Sequence, residues 1–421
     1  MAKIQWIGGA TAVAQVHTGS IDSVDGTPAN NTFTVTIGDV AISAVGDTDV
    51  ATTAAALLAS LSASTHSYFA AVTWTNPSAG NIVGTAATAG VPFVAALTET
   101  GAGTGAVTDF AETTASAGPA DAGTAANWSG GVKPGASDDP VFKDSSANCV
   151  YTLDAISGAT ADLEIHQTFT GLLGLRRTVF ATSADGATTT AGVNEYRQRF
   201  LRLSYDTAKI GIHIGPGNPS GSARIKLDNT KAGASTTVIY DTHSNGESQT
   251  PAVHLLAINA GADLFIYGCP GAVGLTGDAP ADTATFGDIY VAAASQDEVF
   301  IAGGATYTNL EAKSGQVLAD AAATVTKIEN NGADITLDGA FLVTTLETNG
   351  GQTYPNNKPS GGIGITTLNA NGGVVDGTRS QDARTWSTVN LGADGTIIRD
   401  SAHVTITTFT LPTGLATVQS A

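Results

Sequence analysis

The segment "VTTLETNGGQT" (343–353) has four near copies, and that repetition constrains the fold more than any other feature of the chain. Upstream stand "YTNLEAKSGQV" (307–317) and "VTKIENNGADI" (325–335). Downstream stand "ITTLNANGGVV" (365–375) and, more loosely, "WSTVNLGADGTI" (386–397). The central aliphatic residues are Leu310, Ile328, Leu346, Leu368 and Val389, spaced 18, 18, 22 and 21 residues apart. Such periods, with one short strand pair per repeat, mark a solenoid. Seven or eight residues after each central aliphatic comes Val317, Ile335, Thr353, Val375 or Ile397. Between them lies a turn rich in Gly and Asn, residues that reach positive φ at low cost. Each unit therefore reads strand, bend, strand, bend.

One such unit cannot bury its apolar face alone. Stacked in parallel with a rung spacing of ~4.8 Å, the units pair their backbones and bring Leu310, Ile328, Leu346, Leu368 and Val389 into one inward column. Asn331, Asn349 and Asn371 then align as an amide ladder. The expectation is a parallel, right-handed β-helix. A second apolar set, Tyr307, Val325, Val343, Ile365 and Trp386, stands three residues before the first, the wrong parity for one straight strand. Either a corner intervenes, or this column faces outward as a seam between subunits. Two residues before each central aliphatic sits Thr308, Thr326, Thr344, Thr366 or Ser387. The leucine-rich-repeat consensus, the Ca²⁺-binding nonapeptide and a six-residue rhythm are all absent from these segments.

The 421 residues allow two or three domains. From about residue 127 onward, short apolar stretches alternate with Gly, Asn or Asp turns, as in "CVYTLDAI", "ADLEIHQTF", "TTVIYD" and "VHLLAINAGADLFIYG". Ahead of them, "NTFTVTIGDVAISAV" alternates Phe33, Val35 and Ile37 and turns at Gly38-Asp39, a hairpin signal. In "DTDVATTAAALLASLSA", Asp47, Thr48 or Asp49 caps a helix carrying Val50, Ala54, Leu57, Leu58 and Leu61. "FAAVTWT" and "VPFVAAL" supply two further strands. The predicted organisation is mainly β: an extended arm at 1–20, an α+β domain of order β-β-α-β-β at 21–115, a linker at 116–126 and the β-helix at 127–421. Around that linker, 101–126 is small and polar, with one strand at 106–111.

Charge narrows the partners. Only 13% of residues are charged, against roughly 25% in average soluble proteins, and the net charge is −19. An acidic surface repels nucleic acid and anionic membranes. No window supplies the ~18 apolar residues of a membrane span, and the N terminus lacks the apolar core of a secretory signal, so a soluble protein made in a cytoplasm is expected. The two cysteines, Cys149 and Cys269, form neither a disulfide framework nor a zinc motif and read as buried thiols.

Chemistry-bearing motifs are few. The glycine-rich "GPGNPSG" (215–221) and "GAGTG" (101–105) have the wrong spacing for phosphate loops and read as plain loops. The seven histidines are scattered. Asp228, Asp241, Glu247 and Asp263 have separations compatible with stacking on neighbouring rungs, as a β-helical glycosidase or lyase needs, but any acidic solenoid offers such carboxylates. No catalytic, cofactor-binding or metal-binding residues are assigned, and no cofactor is expected. Arg176, Arg177, Arg197, Arg199 and Arg202 concentrate five of the 18 basic residues, suited to pairing with carboxylates on a partner. The arm, with Ile4, Trp6, Ile7 and Val13, has the composition to order by adding a strand to a neighbour's sheet edge.

Two segments resemble bacteriophage virion proteins. The hairpin, helix and strands of 30–100 resemble the small β-β-α-β-β domain that recurs in phage structural proteins. "NWSGGVKPGASDDPVF" (127–142), followed by Thr/Gly-rich repeats, is similar to the entry of β-helical phage decoration and adhesin-like proteins. The resemblance implies a non-enzymatic virion component that is homotrimeric, on the head or on the tail. The extended arm, small domain, solenoid body, acidic surface and lack of a site lead to the expectation of a capsid decoration or cement protein on the capsid exterior, assembled in the host cytoplasm and bound to the major capsid protein. The alternative the resemblance leaves open is a tail fibre, tailspike or receptor-binding adhesin with polysaccharide depolymerase activity.

Overall fold

The computed structural model describes residues 2–38, 40–156, 162–174, 201–212, 225–240, 253–257, 259–268, 273–275, 284–294, 297–301, 305–321, 323–339, 341–356, 364–379, 383–399, 402–411 and 419–420. The chain is mainly β, a small N-terminal α+β region followed by a parallel β-solenoid spanning residues 141–410.

In the α+β region, Asn31–Ile37 pairs antiparallel with Val40–Val45 through Ile37↔Val40, the hairpin expected from its alternation. Ala95–Gly101 completes that three-stranded sheet. The helix is Val50–Ala63, and Asp49 caps it by accepting from the Thr52 amide at 2.8 Å. Ala54, Leu57 and Leu61 face the core; Val50 and Leu58 stand at its margin. A second sheet has the order Val72–Thr75, Asn81–Ala86, Val16–Ser23, Ala106–Thr114. Three of these strands enlarge the expected β-β-α-β-β order. Val16–Ser23 comes from the tail of the expected arm, Ala106–Thr114 extends the single strand expected before the linker, and Asn81–Ala86 is hidden in the sequence behind Gly84. That glycine faces the Trp74 ring, which a Cβ would meet at 2.9 Å. Here the absence of a side chain permits packing and does not break the strand. "GAGTG" joins Ala95–Gly101 to Ala106–Thr114 as a loop.

In the solenoid, two parallel ladders advance together. One runs through Leu163–His166, Thr207–Ile212, Ser235–Ile239, Ala262–Ile266, Ala284–Ala292 and Ala305–Ser314. The other runs through Leu201–Leu203, Ile225–Asn229, Val253–Ala257, Val273–Leu275, Glu298–Ile301 and Gln316–Ala319. From Val325–Asp338 onward, one long strand per rung serves both ladders: Leu342–Asn356, Gly364–Asp376 and Arg384–Arg399. The register is the one the repeats predict, Leu310↔Ile328↔Leu346↔Leu368↔Val389 and Val317↔Ile335↔Thr353↔Val375↔Ile397. Every residue of the first column is at most 1% exposed. Between the ladders, Gly351 and Gly373 both take φ 69°. A Cβ on Gly351 would stand 2.2 Å from the Ala333 carbonyl oxygen, so this bend accepts no larger residue.

The Tyr307, Val325, Val343, Ile365 and Trp386 column points inward: all five are at most 2% exposed, which removes the expected subunit seam. The parity conflict is resolved by a corner. In the parallel register Phe286↔Tyr307 is followed directly by Asp288↔Asn309, and Val343↔Ile365 by Thr345↔Thr367. The skipped residues are Gly287, Thr308, Thr344 and Thr366, with Thr326 and Ser387 skipped in the same way on their rungs. The repeated Thr or Ser before each central aliphatic is therefore the corner residue, and the rungs that carry it have three inward faces.

The expected free arm is likewise part of the fold. Lys3–Trp6 pairs in parallel with Asp139–Phe142, which in turn pairs with Leu163–His166. Trp6 is fully buried, edge-on to Trp128 at 5.0 Å, and donates its indole N–H to the Ala147 carbonyl at 2.9 Å. Trp128 lies 5.8 Å from Phe142. Open sheet edges recruit strands, and here the chain's own N terminus supplies one. Helical elements after residue 127, among the described residues, are the short 3₁₀ turns Ser129–Gly131 and Leu153–Ile156.

Candidate binding face of the solenoid

The outward side of the first ladder is the feature with the most varied chemistry. Alternation along each strand sends every second residue outward, and the parallel register stacks like positions from rung to rung. One outward column reads Lys209, Val238, Phe265, Tyr290, Glu311, Glu329, Glu347, Asn369, Asn390. The column two residues earlier contains Thr236 and Asp263, then Asp288, Asn309, Lys327, Thr345, Thr367 and Thr388. The face thus changes along the axis from aromatic to charged to amide and hydroxyl.

At the aromatic end, Tyr240 and Tyr267 follow successive strands of the ladder, anchored by backbone bonds to Ile210 and Ile239. Their rings stack at 6.3 Å with planes 26° apart; Tyr267 stands 6.0 Å from Tyr290, and Phe265 5.9 Å from Tyr290. Tyr240 and Tyr267 are 46% and 47% exposed. Beside them, Asp263 accepts from the Asp288 amide at 3.1 Å, and Asp288 accepts from the Asn309 side chain at 2.7 Å. Lys313 closes the strip with its ammonium 5.0 Å from the Tyr290 ring centre. Its hydrogen bond to Tyr290 holds the Lys313 pKa above the ordinary lysine value.

In the middle, Glu311, Glu329 and Glu347 occupy consecutive rungs, where like charges repel. Lys327 relieves this by bonding Glu329 at 2.5 Å and Glu347 at 3.0 Å. These contacts raise the Lys327 pKa and lower that of Glu329, hydrogen bonding being the largest cause in each case. Asn331 donates to Glu329 at 3.0 Å, and the expected amide ladder is present: Asn349 donates to Asn331 and Asn371 to Asn349, each at 2.9 Å. Asn390 donates to Asn369 at 2.9 Å in a second ladder that the repeats did not predict.

The other positions singled out in the sequence scatter. Asp228 lies in the second ladder and binds Arg202 at 2.9 Å, whereas Asp263 faces outward from the first, so the two do not share a site. Asp241, Glu247, Arg176, Arg177, Arg197, Arg199, Cys269 and "GPGNPSG" lie outside the described residues. Of the Arg cluster, only Arg202 is described. Cys149 is a buried free thiol whose pKa burial pushes well up. Among the described residues, no group of three or more His, Cys, Asp or Glu is arranged to hold a metal ion.

The aromatic strip is not among the features singled out in the sequence. The signal that could have found it is a tyrosine after, or near the end of, each apolar run in "TTVIYD", "LFIYG" and "DIYVAA". Searches of protein-family models, of curated proteins and of solved structures returned nothing that matches this chain.

Proposed function

We propose that the chain is a non-enzymatic structural protein of a bacteriophage virion, acting as a capsid decoration or cement protein on the head exterior with the major capsid protein as partner. The observation that carries this reading is a self-locked rod. An aliphatic column inside and an amide ladder outside run in register over consecutive rungs, and the N-terminal strand closes the first rung. Such a body gains its stability rung by rung and suits a rigid projecting element. A homotrimer is part of the proposal through the resemblance alone, because the apolar column expected to form its seam is buried.

A second reading, a tail fibre or receptor-binding adhesin, is favoured by the exposed Tyr240–Tyr267 pair. The test is the copy number in purified virions, by quantitative mass spectrometry against the major capsid protein. Hundreds of copies support head decoration, and a few to a few dozen support the tail. Absence from particles overturns both.

A further inference from the structure

We propose that the strip formed by Tyr240, Phe265, Tyr267 and Tyr290 binds a neutral saccharide chain laid along the solenoid axis. The inference is independent of where on a virion the protein sits.

Half-exposed aromatic residues on successive rungs are costly to leave in water, and a monomeric surface seldom gathers them without a use. Their neighbours distinguish the occupant. A protein partner would be met by a contiguous apolar patch with charge depleted at its centre. Here two successive rungs place a carboxylate two residues from an aromatic side chain, Asp263 beside Phe265 and Asp288 beside Tyr290, and Asn309 follows at the next rung. A pyranose has the matching two-sided character, with an apolar C–H face for an electron-rich ring and a rim of hydroxyls that donate to carboxylates and exchange hydrogen bonds with amides.

The rung spacing of ~4.8 Å is close to the length of one pyranose residue, so successive sugars meet successive rungs. Charge sets the class. With Asp263, Asp288 and Glu311 lining the strip and a chain of net charge −19, an acidic polysaccharide or a nucleic acid is repelled. Lys313, already engaged with Tyr290 and Glu311, does not reverse that sign.

The test uses the full chain and calorimetric titration with glucan, mannan and chitin oligosaccharides of increasing length, with alginate as the acidic control. At least one neutral series should bind, with affinity rising with length, and alginate should not. Tyr267→Ala should weaken that binding about tenfold, the scale of one lost aromatic contact. Tyr354→Ala, on the second ladder beneath Arg379, should leave it unchanged. Hydroxyl-radical footprinting of the unmodified protein gives a readout that does not depend on the variant folding: bound saccharide should protect Tyr240 and Tyr267. The proposal is overturned if no neutral series binds, if alginate binds best, if Tyr267→Ala binds as the parent does, or if bound saccharide leaves both tyrosines unprotected.

Discussion

Asn330→Ala should be among the most damaging polar substitutions in the solenoid. The Asn330 side chain is fully buried and has five polar partners at the bend between the two ladders, its two N–H groups shared among three acceptors and its carbonyl oxygen facing two amides. It donates to the carbonyls of Ala333 and Gln352, both at 3.0 Å, and to the Thr353 hydroxyl at 2.9 Å. It accepts from the amides of Gly332 at 3.0 Å and Ala333 at 2.8 Å. Gly332 is exposed and recovers a partner from water. Thr353 keeps Thr348 at 3.4 Å. The Ala333 amide stays buried, and an orphaned buried group costs about 1–3 kcal/mol. Asn349→Ala, on the outer ladder, exposes its partners to water and should cost under about 1 kcal/mol. Urea denaturation by circular dichroism gives the two values, and hydrogen exchange should localise the Asn330→Ala effect to the rungs at 325–356, because solenoid rungs couple mainly to their neighbours. Asn330→Asp adds a diagnostic: a carboxylate cannot donate, so three acceptors would face a negative charge, and the damage should lessen as the group is protonated. Equal costs for Asn330→Ala and Asn349→Ala would refute this reasoning.

Leu368→Ala should cost about 2–5 kcal/mol by urea denaturation, whereas Thr367→Ala, outward on the same strand, should be nearly silent. Tyr307→Phe should be neutral or stabilising by thermal denaturation: the Tyr307 hydroxyl is buried without a hydrogen-bond partner among the described residues, and burial pushes its pKa above the ordinary tyrosine value. A marked loss in Tyr307→Phe would show that the hydroxyl has a partner. The His17 ring, against Phe93 at 4.8 Å, has a pKa lowered by burial despite the opposing pull of Glu112. The folded domain therefore disfavours protonated His17. Its stability should be full above pH ~6.5 and fall as pH drops below that value towards the folded-state pKa. Hydrogen exchange of Val16–Ser23 against pH reads this, and His17→Phe should flatten the profile.

What is legible in the chain follows from which interactions have a local signature. Leu310, Ile328, Leu346, Leu368 and Val389 can be aligned because parallel stacking demands the same residue type at the same position of each rung. The amide ladder is legible for the same reason. The inward turn of Tyr307, Val325, Val343, Ile365 and Trp386 is only half legible, because parity shows that a corner is needed but not where. The skipped Thr and Ser residues mark the corner; their recurrence is visible in the sequence, and their role only in the fold. Asn330 is invisible because its counterparts are Ala312, Thr348, Ala370 and Leu391. A polar residue that solves the hydrogen bonding of a single rung leaves no period. The aromatic strip falls between these cases. Its tyrosines stack like the columns, but the loops between rungs differ in length in that part of the chain, so no fixed spacing announces them.

The N-terminal segment shows how a correct local reading can lead to the wrong partner. "KIQW" has the composition of a strand that adds to a sheet edge, and it does add to one, but the edge is Asp139–Phe142 of the same chain. Strand addition uses backbone hydrogen bonds, which carry no mark of whether the acceptor strand is intramolecular. What decides is the burial of Trp6 between Trp128 and Phe142, three aromatic residues brought together over long separations. Removing residues 2–7 would therefore uncover Trp128 and leave the first rung open, so the lesion would be one of folding and self-association before it was one of attachment. An attachment surface must be sought where side chains remain available. Along the described solenoid, the outward face of the first ladder presents them in register from Tyr240 to Asn390.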